Sequence, residues 1–206
     1  MSIVRIALIA SFAAVLVSFA PVSITHVGSS THAGDKKKSA IDLALEKVFP
    51  ACKIERITCR LDEKQRGKVG KLSAQKTYRK KTTFAYIARK DGKVVGTAFF
   101  DSHVVRTKRE TLLVAVTPSG DIKEVVTIAF KEPREFIAQD SFYDSLEGRG
   151  QGRALQLGRG LDGTTGATLT CRAVADASRR VLALHEVLGE RVGRRDGDAK
   201  AAASIR

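Results

Sequence analysis

Two stretches of the chain are rich in apolar, β-forming residues interrupted midway by polar turn residues, and each folds back on itself. Thr82 to Arg89 and Lys93 to Phe100 are β-rich runs separated by Asp91-Gly92, a dipeptide whose tolerance of positive φ suits a tight hairpin turn. Thr111 to Thr117 and Ile122 to Phe130 repeat the pattern around Pro118-Ser119-Gly120, predicting a second hairpin. Lys53 to Leu61 favours a further strand through Ile54, Ile57 and Thr58. Ile41, Leu43, Ala44, Leu45 and Val48 lie between Ser39 and Pro50, the pattern of a short amphipathic helix with a serine cap. Asp62 to Leu72 carries helix-forming polar residues interrupted by Gly67 and Gly70. After Pro133 the pattern lapses, with a short helix at Ser141 to Leu146 and then six glycines from Gly148 to Gly163 that predict loop. From Leu169, the residues Ala173, Val174, Ala177, Val181, Leu184, Leu188 and Val192 fall at three- and four-residue spacings, which predicts one long helix with an apolar stripe. Strands followed by a terminal helix, without repeated strand–helix–strand units, predict an α+β fold: a twisted antiparallel sheet built of hairpins, packed against a short N-terminal helix and a long C-terminal helix.

The first 33 residues are set apart from this pattern. No charged residue occurs from Ile6 to Gly34, and the apolar stretch Ile6 to Ala20 follows a single arginine, Arg5. That is the form of an export signal, shorter than the roughly 20 residues of a spanning helix. The expected organisation is an export signal or retained anchor at 1–33, a domain at 39–190 and a basic tail at 191–206. The expected place is periplasmic, or on the outer side of the cytoplasmic membrane.

Composition supports a packed core, at 43% hydrophobic residues over 206 positions. The net charge of +14 invites a nucleic-acid reading, but aromatic residues make up 6% and Trp is absent, so stacking platforms are few. With an export signal as well, no nucleic-acid partner is expected, and anionic membrane surfaces or acidic proteins fit the charge better. The basic residues are scattered, at Lys36–Lys38, Lys76 with Arg79–Lys81, and Arg191–Arg195, which favours a solvated surface.

Several motifs lack the context that gives them meaning. Gly158 to Gly163 spells G-x-G-x-x-G but has no clear strand before it and no parallel βαβ unit after it. Three cysteines are too few for a four-thiolate iron–sulfur cluster, no Cys-x-x-Cys-His binds haem, and the dispersed histidines make neither a zinc site nor a hydrolytic triad. No metal is expected. Cys52 and Cys59 leave two readings open, a disulfide across a bend or independent thiols.

Asp162-Gly163-Thr164-Thr165-Gly166-Ala167-Thr168-Leu169-Thr170 lies where the glycine-rich loop enters the long helix. Helix N-termini present unpaired amides and partial positive charge, so the amides near Leu169 and Thr170 suit a phosphate beside Thr168, with the small Gly166 and Ala167 permitting close approach. A helix start capped by Thr165 with no ligand is the competing reading.

The segment resembles the Asp-x-x-Ser/Thr-Gly-Ala-Thr motif of the FMN-binding domain family. Members include the C subunit of sodium-translocating NADH:quinone reductase, the G subunit of Rnf complexes and small exported flavoproteins. The resemblance extends loosely from about Val94 to Leu188, through the Ser119-Gly120-Asp121 turn and the Lys131-Glu132-Pro133 corner, where respiratory subunits typically carry Glu-Thr-Pro-Gly. It implies FMN joined through a phosphoester bond to Thr168 by a flavin transferase that uses FAD and Mg2+, with Asp162, Thr165, Gly166, Ala167, Leu169 and Thr170 completing the cofactor site. Arg172 suits either the remaining phosphodiester charge or solvent. His103, Arg106 and Glu110 form a dense polar stretch before a strand, open to reading as ring contacts or as a solvated loop. The implied function is electron transfer between membrane and periplasmic redox partners, by a carrier more than a stand-alone enzyme and with no catalytic residue assigned. A small extracytoplasmic flavin reductase and a non-redox binding module with a vestigial motif are the alternatives.

Overall fold

In the computed structural model, which describes residues 38–193 except 77, 153 and 154, five strands follow one another in chain order across an antiparallel sheet. They are β1 (Lys53–Arg60), β2 (Thr82–Lys90), β3 (Lys93–Val104), β4 (Arg109–Val116) and β5 (Ile122–Phe130). Asp91 and Gly92 turn β2 into β3 with φ of 50° and 75°, the geometry that a two-residue hairpin requires. Gly120, at φ 97°, closes the β4–β5 turn. Helices α1 (Ala40–Val48), α2 (Glu63–Leu72), α3 (Asp140–Asp144) and α4 (Thr168–Leu188) complete the regular structure with 3-10 turns at Arg134–Phe136 and Gly189–Val192. The α+β prediction holds, including the short N-terminal and long C-terminal helices.

The sheet separates two cores. On one face, α4 lays Cys171, Val174, Ala177, Val181 and Leu184 against Phe99, Leu112, Val114 and Val116, with Val69 of α2 in the same cluster. On the other, Leu45, Val48 and Phe49 from α1 and the residue after it pack on Ala88, Ala98, Leu113 and Ala115. Leu112 to Val116 of β4 is therefore buried on both faces, which is why it reads as an unbroken apolar run.

Three details depart from expectation. The segment after β1 is a full helix despite Gly67 and Gly70, because Asp62 and Gln65 form a reciprocal capping box that supplies the helix start. Strand β3 runs past Phe100 to Val104. The last helix stops at Leu188, where Gly189 takes φ 55°. A 3-10 turn then buries Val192, whose carbonyl accepts the Thr97 hydroxyl. Cys52, Cys59 and Cys171 are all free thiols, with Cys59 buried in the α4-side core. The glycines of 158–163 turn a short loop in which the Gly158 N–H donates to the Leu161 carbonyl at 2.9 Å. The predicted export signal at 1–33 and the tail from residue 194 lie outside the described residues. Among the described residues no helix is long and apolar enough to cross a membrane.

Candidate functional site

Thr164 fastens the glycine-rich loop to the start of α4. Its hydroxyl accepts the Gln139 N–H at 3.2 Å, its own N–H donates to Cys171 Sγ at 3.3 Å, and its carbonyl accepts the Ala167 N–H at 3.0 Å. Gly166, at φ 83°, turns the chain in a region open to glycine at little steric cost. Ala167 then occupies the N-cap position, and no side chain caps the helix. The Thr165 cap of the competing reading is not formed, because the helix begins two residues too late for it.

An uncapped start leaves donors available. The first intrahelical N–H is that of Cys171, bonded to the Ala167 carbonyl at 2.9 Å, so the amides of Thr168, Leu169 and Thr170 lie ahead of the helical ladder. The first turn contains no acidic residue, and the helix dipole there favours an anion by about 0.3–1 kcal/mol. Thr168 and Leu169 are exposed, whereas Thr170 is buried and its hydroxyl donates to the Phe136 carbonyl at 2.5 Å. That bond ties the helix start to the 3-10 turn after β5.

A cavity of about 120 Å³ opens at this junction, lined by Arg106, Phe136 and Gly166 to Thr170. Arg106 is held over the Phe136 ring with its guanidinium carbon 4.2 Å from the ring centroid. The turn that carries it is fixed by Glu132, whose Oε1 accepts the N–H groups of Lys108 and Thr107 at 2.7 Å and that of Arg106 at 3.2 Å. Those backbone donors hold the Glu132 carboxyl below its ordinary range. Pockets that enclose whole small ligands are usually about 300–1,000 Å³, so this cavity suits a phosphate-sized end group, with any larger moiety lying outside it. Asp162 and Thr165 line a separate cavity of about 390 Å³ with Gln139 and Arg149. Another cavity, of about 550 Å³ beside β5 and α3, contains no residue of the motif.

His103, Arg106 and Glu110 part company in the fold. The β3–β4 register sets His103 opposite Glu110, and His103 Nε2 lies 3.0 Å from Glu110 Oε2. Asp101, two residues earlier on the same face, puts Oδ1 at 2.9 Å from His103 Nδ1. Arg180 of α4 closes the network with Nε and Nη2 bonds of 3.0 and 2.6 Å to the two oxygens of Asp101. Burial opposes charge on both His103 and Asp101. The hydrogen-bonded carboxyl groups nevertheless raise the imidazole above its ordinary range, and His103 with Arg180 holds the Asp101 carboxyl well below its own. Glu110 is fully buried, and Oε1 has no hydrogen-bond partner among the described residues.

The predicted site thus divides. Gly166, Ala167, Thr168, Leu169 and Thr170 share one cavity with Arg106; Asp162 and Thr165 stand on the far side of the loop. His103 and Glu110 belong to a buried ionic network rather than to a solvated loop. Arg172 is exposed and is not among the residues lining the cavity. Sequence reasoning missed Thr164, Phe136, Asp101 and Arg180. Only Asp101 left a trace, at the i, i+2 spacing from His103 that puts two strand residues on one face.

Residues 107–183 match the family model described as the FMN-binding domain. No curated protein gives a match to the chain.

Proposed function

We propose that this chain, whose residues 107–183 match the family model described as the FMN-binding domain, is an exported electron-transfer flavoprotein with FMN joined covalently to Thr168. The cofactor of the family is FMN; the covalent link, export and the carrier role are the proposed part. The observation that carries the link is the uncapped start of α4, where an exposed threonine hydroxyl adjoins free first-turn amides and a cavity of phosphate size.

These residues fit the phosphate end of FMN. The amides of Leu169 and Thr170 would hold the phosphodiester charge, with the Arg106 guanidinium in the same cavity wall, and the Thr170–Phe136 bond keeps the turn from opening. Loading follows from FAD: the Thr168 oxygen bonds to the flavin-side phosphorus, the pyrophosphate bond breaks, AMP leaves and the hydroxyl proton is released. A transferase with Mg2+ supplies that step. When bound, FMN supplies one- and two-electron transfer, and the protein's part is to hold and orient it. Outside the cytoplasm, where free FMN is scarce, a covalent link prevents loss of the cofactor.

Co-expression with a flavin transferase should add the mass of one FMN moiety to the chain, with yellow colour retained through acid precipitation and mapped to the Thr168 peptide. Thr168→Val, nearly isosteric at an exposed position, should fold normally and carry no tethered flavin. Tethered flavin in that variant would remove Thr168 from the role.

A further inference from the structure

One end of the sheet joins the cofactor site to a concentration of exposed positive charge. The β3–β4 turn presents Arg106, Lys108 and Arg109, and the segment after β5 presents Lys131 and Arg134, all exposed. Backbone bonds weld these pieces together: the Lys131 N–H donates to the Arg109 carbonyl at 3.1 Å, and the Lys108 N–H donates to Glu132 at 2.7 Å. The same bonds hold the Glu132 carboxylate against the turn through its Oε1, so two acidic groups, Glu132 and exposed Glu135, stand against five cations. Leu169, 46% exposed, stands on the wall of the cofactor cavity beside them. An exposed apolar side chain adjoining a charged patch suits a transient protein interface.

Resting on the flavin reading above, we propose that this end of the molecule is the docking face for an acidic protein surface, that of a one-electron carrier. The carrier gains each electron that reduced FMN loses, or loses each electron that oxidised FMN gains. Charge complementarity selects such a partner and speeds its encounter. A lipid surface is disfavoured: the chain has no Trp to seat at a bilayer interface, and Phe136 lies under Arg106.

The test compares two triple variants of equal net charge: Lys108→Glu/Arg109→Glu/Lys131→Glu at this face, and Lys53→Glu/Lys90→Glu/Lys93→Glu, all exposed, at the opposite end of the sheet. Mass and spectrum first establish whether each preparation holds FMN, so failure of the cofactor reading is seen separately. Binding of poly-L-glutamate at low salt, measured by calorimetry with or without flavin, should weaken by about tenfold or more in the first variant and little in the second. In flavin-loaded protein the first variant should also slow oxidation of the reduced flavin by ferricyanide and quicken that by hexaammineruthenium(III). Equal effects of both variants would overturn the proposal in favour of net charge alone. Binding to phosphatidylglycerol vesicles lost in the first variant only, with poly-L-glutamate binding unchanged, would overturn it in favour of a membrane face.

Discussion

His103 is held between two carboxyl groups at 2.9 and 3.0 Å, and that position makes stability depend on pH in a definite direction. Its folded value is raised above the ordinary 6.5, so its stabilising contribution is complete below about that pH and disappears as pH rises through the raised value. Asp101 behaves oppositely: its value is lowered from 3.8, and its contribution is complete above about that pH and lost as acid reaches the lowered value. Wild-type protein should therefore lose stability on the alkaline side of neutrality in thermal scans taken from about pH 6 to pH 9, with the Asp101 contribution intact throughout. His103→Gln should flatten that alkaline decline. Removing Arg180 instead leaves Asp101 with His103 as its remaining cationic partner, and Arg180→Met is expected to cost about 1–3 kcal/mol by urea unfolding at neutral pH, through the lost charge-assisted bonds. The sequence showed His103 and Glu110 as polar neighbours of a strand. It did not show that register would make them partners, because that depends on where β3 ends, and alternating Asp101 and His103 looked like loop rather than the inward face of a longer strand.

Local chemistry sets where the elements start and stop. Ser39 caps α1 through a reciprocal bond with Asp42, and Asp62 does the same for α2 with Gln65. The first was legible, since an apolar period follows the cap; the second was masked by two glycines, although Asp-x-x-Gln is a start signal in its own right. At α4 the competing reading of a Thr165 cap fails because Gly166 turns the chain before the helix begins. These differences lead to a contrast between helix starts. Asp62→Ala should lower stability by about 1 kcal/mol and leave flavin content unchanged. Thr170→Val removes the hydroxyl that serves the Phe136 carbonyl and should cost about 1–3 kcal/mol. Because that bond anchors the cavity wall, it should also reduce the fraction of chains that acquire flavin, read from the mass spectrum. Full loading of Thr170→Val would show that the tie to Phe136 does not shape the site.

Across the whole molecule, the five-stranded meander places its two kinds of demand at opposite ends. The β3–β4 turn, the corner after β5 and the start of α4 gather at one end around Thr168; the β2–β3 turn and the close packing of Phe49 after α1 lie toward the other. The hydrophobic pattern gave the two hairpins and the apolar C-terminal helix, while the strand order that brings these turns together came from the structure. The pairing of loop residues such as Thr164 with Gln139 and Cys171 needed three dimensions. At the end remote from the site, a Cβ on Gly96 would lie 2.6 Å from Phe49 Cε1 and 3.0 Å from the Val116 carbonyl. One of those neighbours is a ring that can shift only within a filled core, and the other is backbone in β4. Gly96→Ala is accordingly expected to destabilise the fold by about 1–3 kcal/mol through overpacking, measured by urea unfolding. Its flavin stoichiometry should remain that of wild type at temperatures where it stays folded, because the strain enters the α1-side core while the helix start and its cavity belong to the opposite face. Loss of flavin from folded Gly96→Ala protein would mean that the sheet transmits strain from one core to the other, and that the site is set by the whole sheet rather than by its own end.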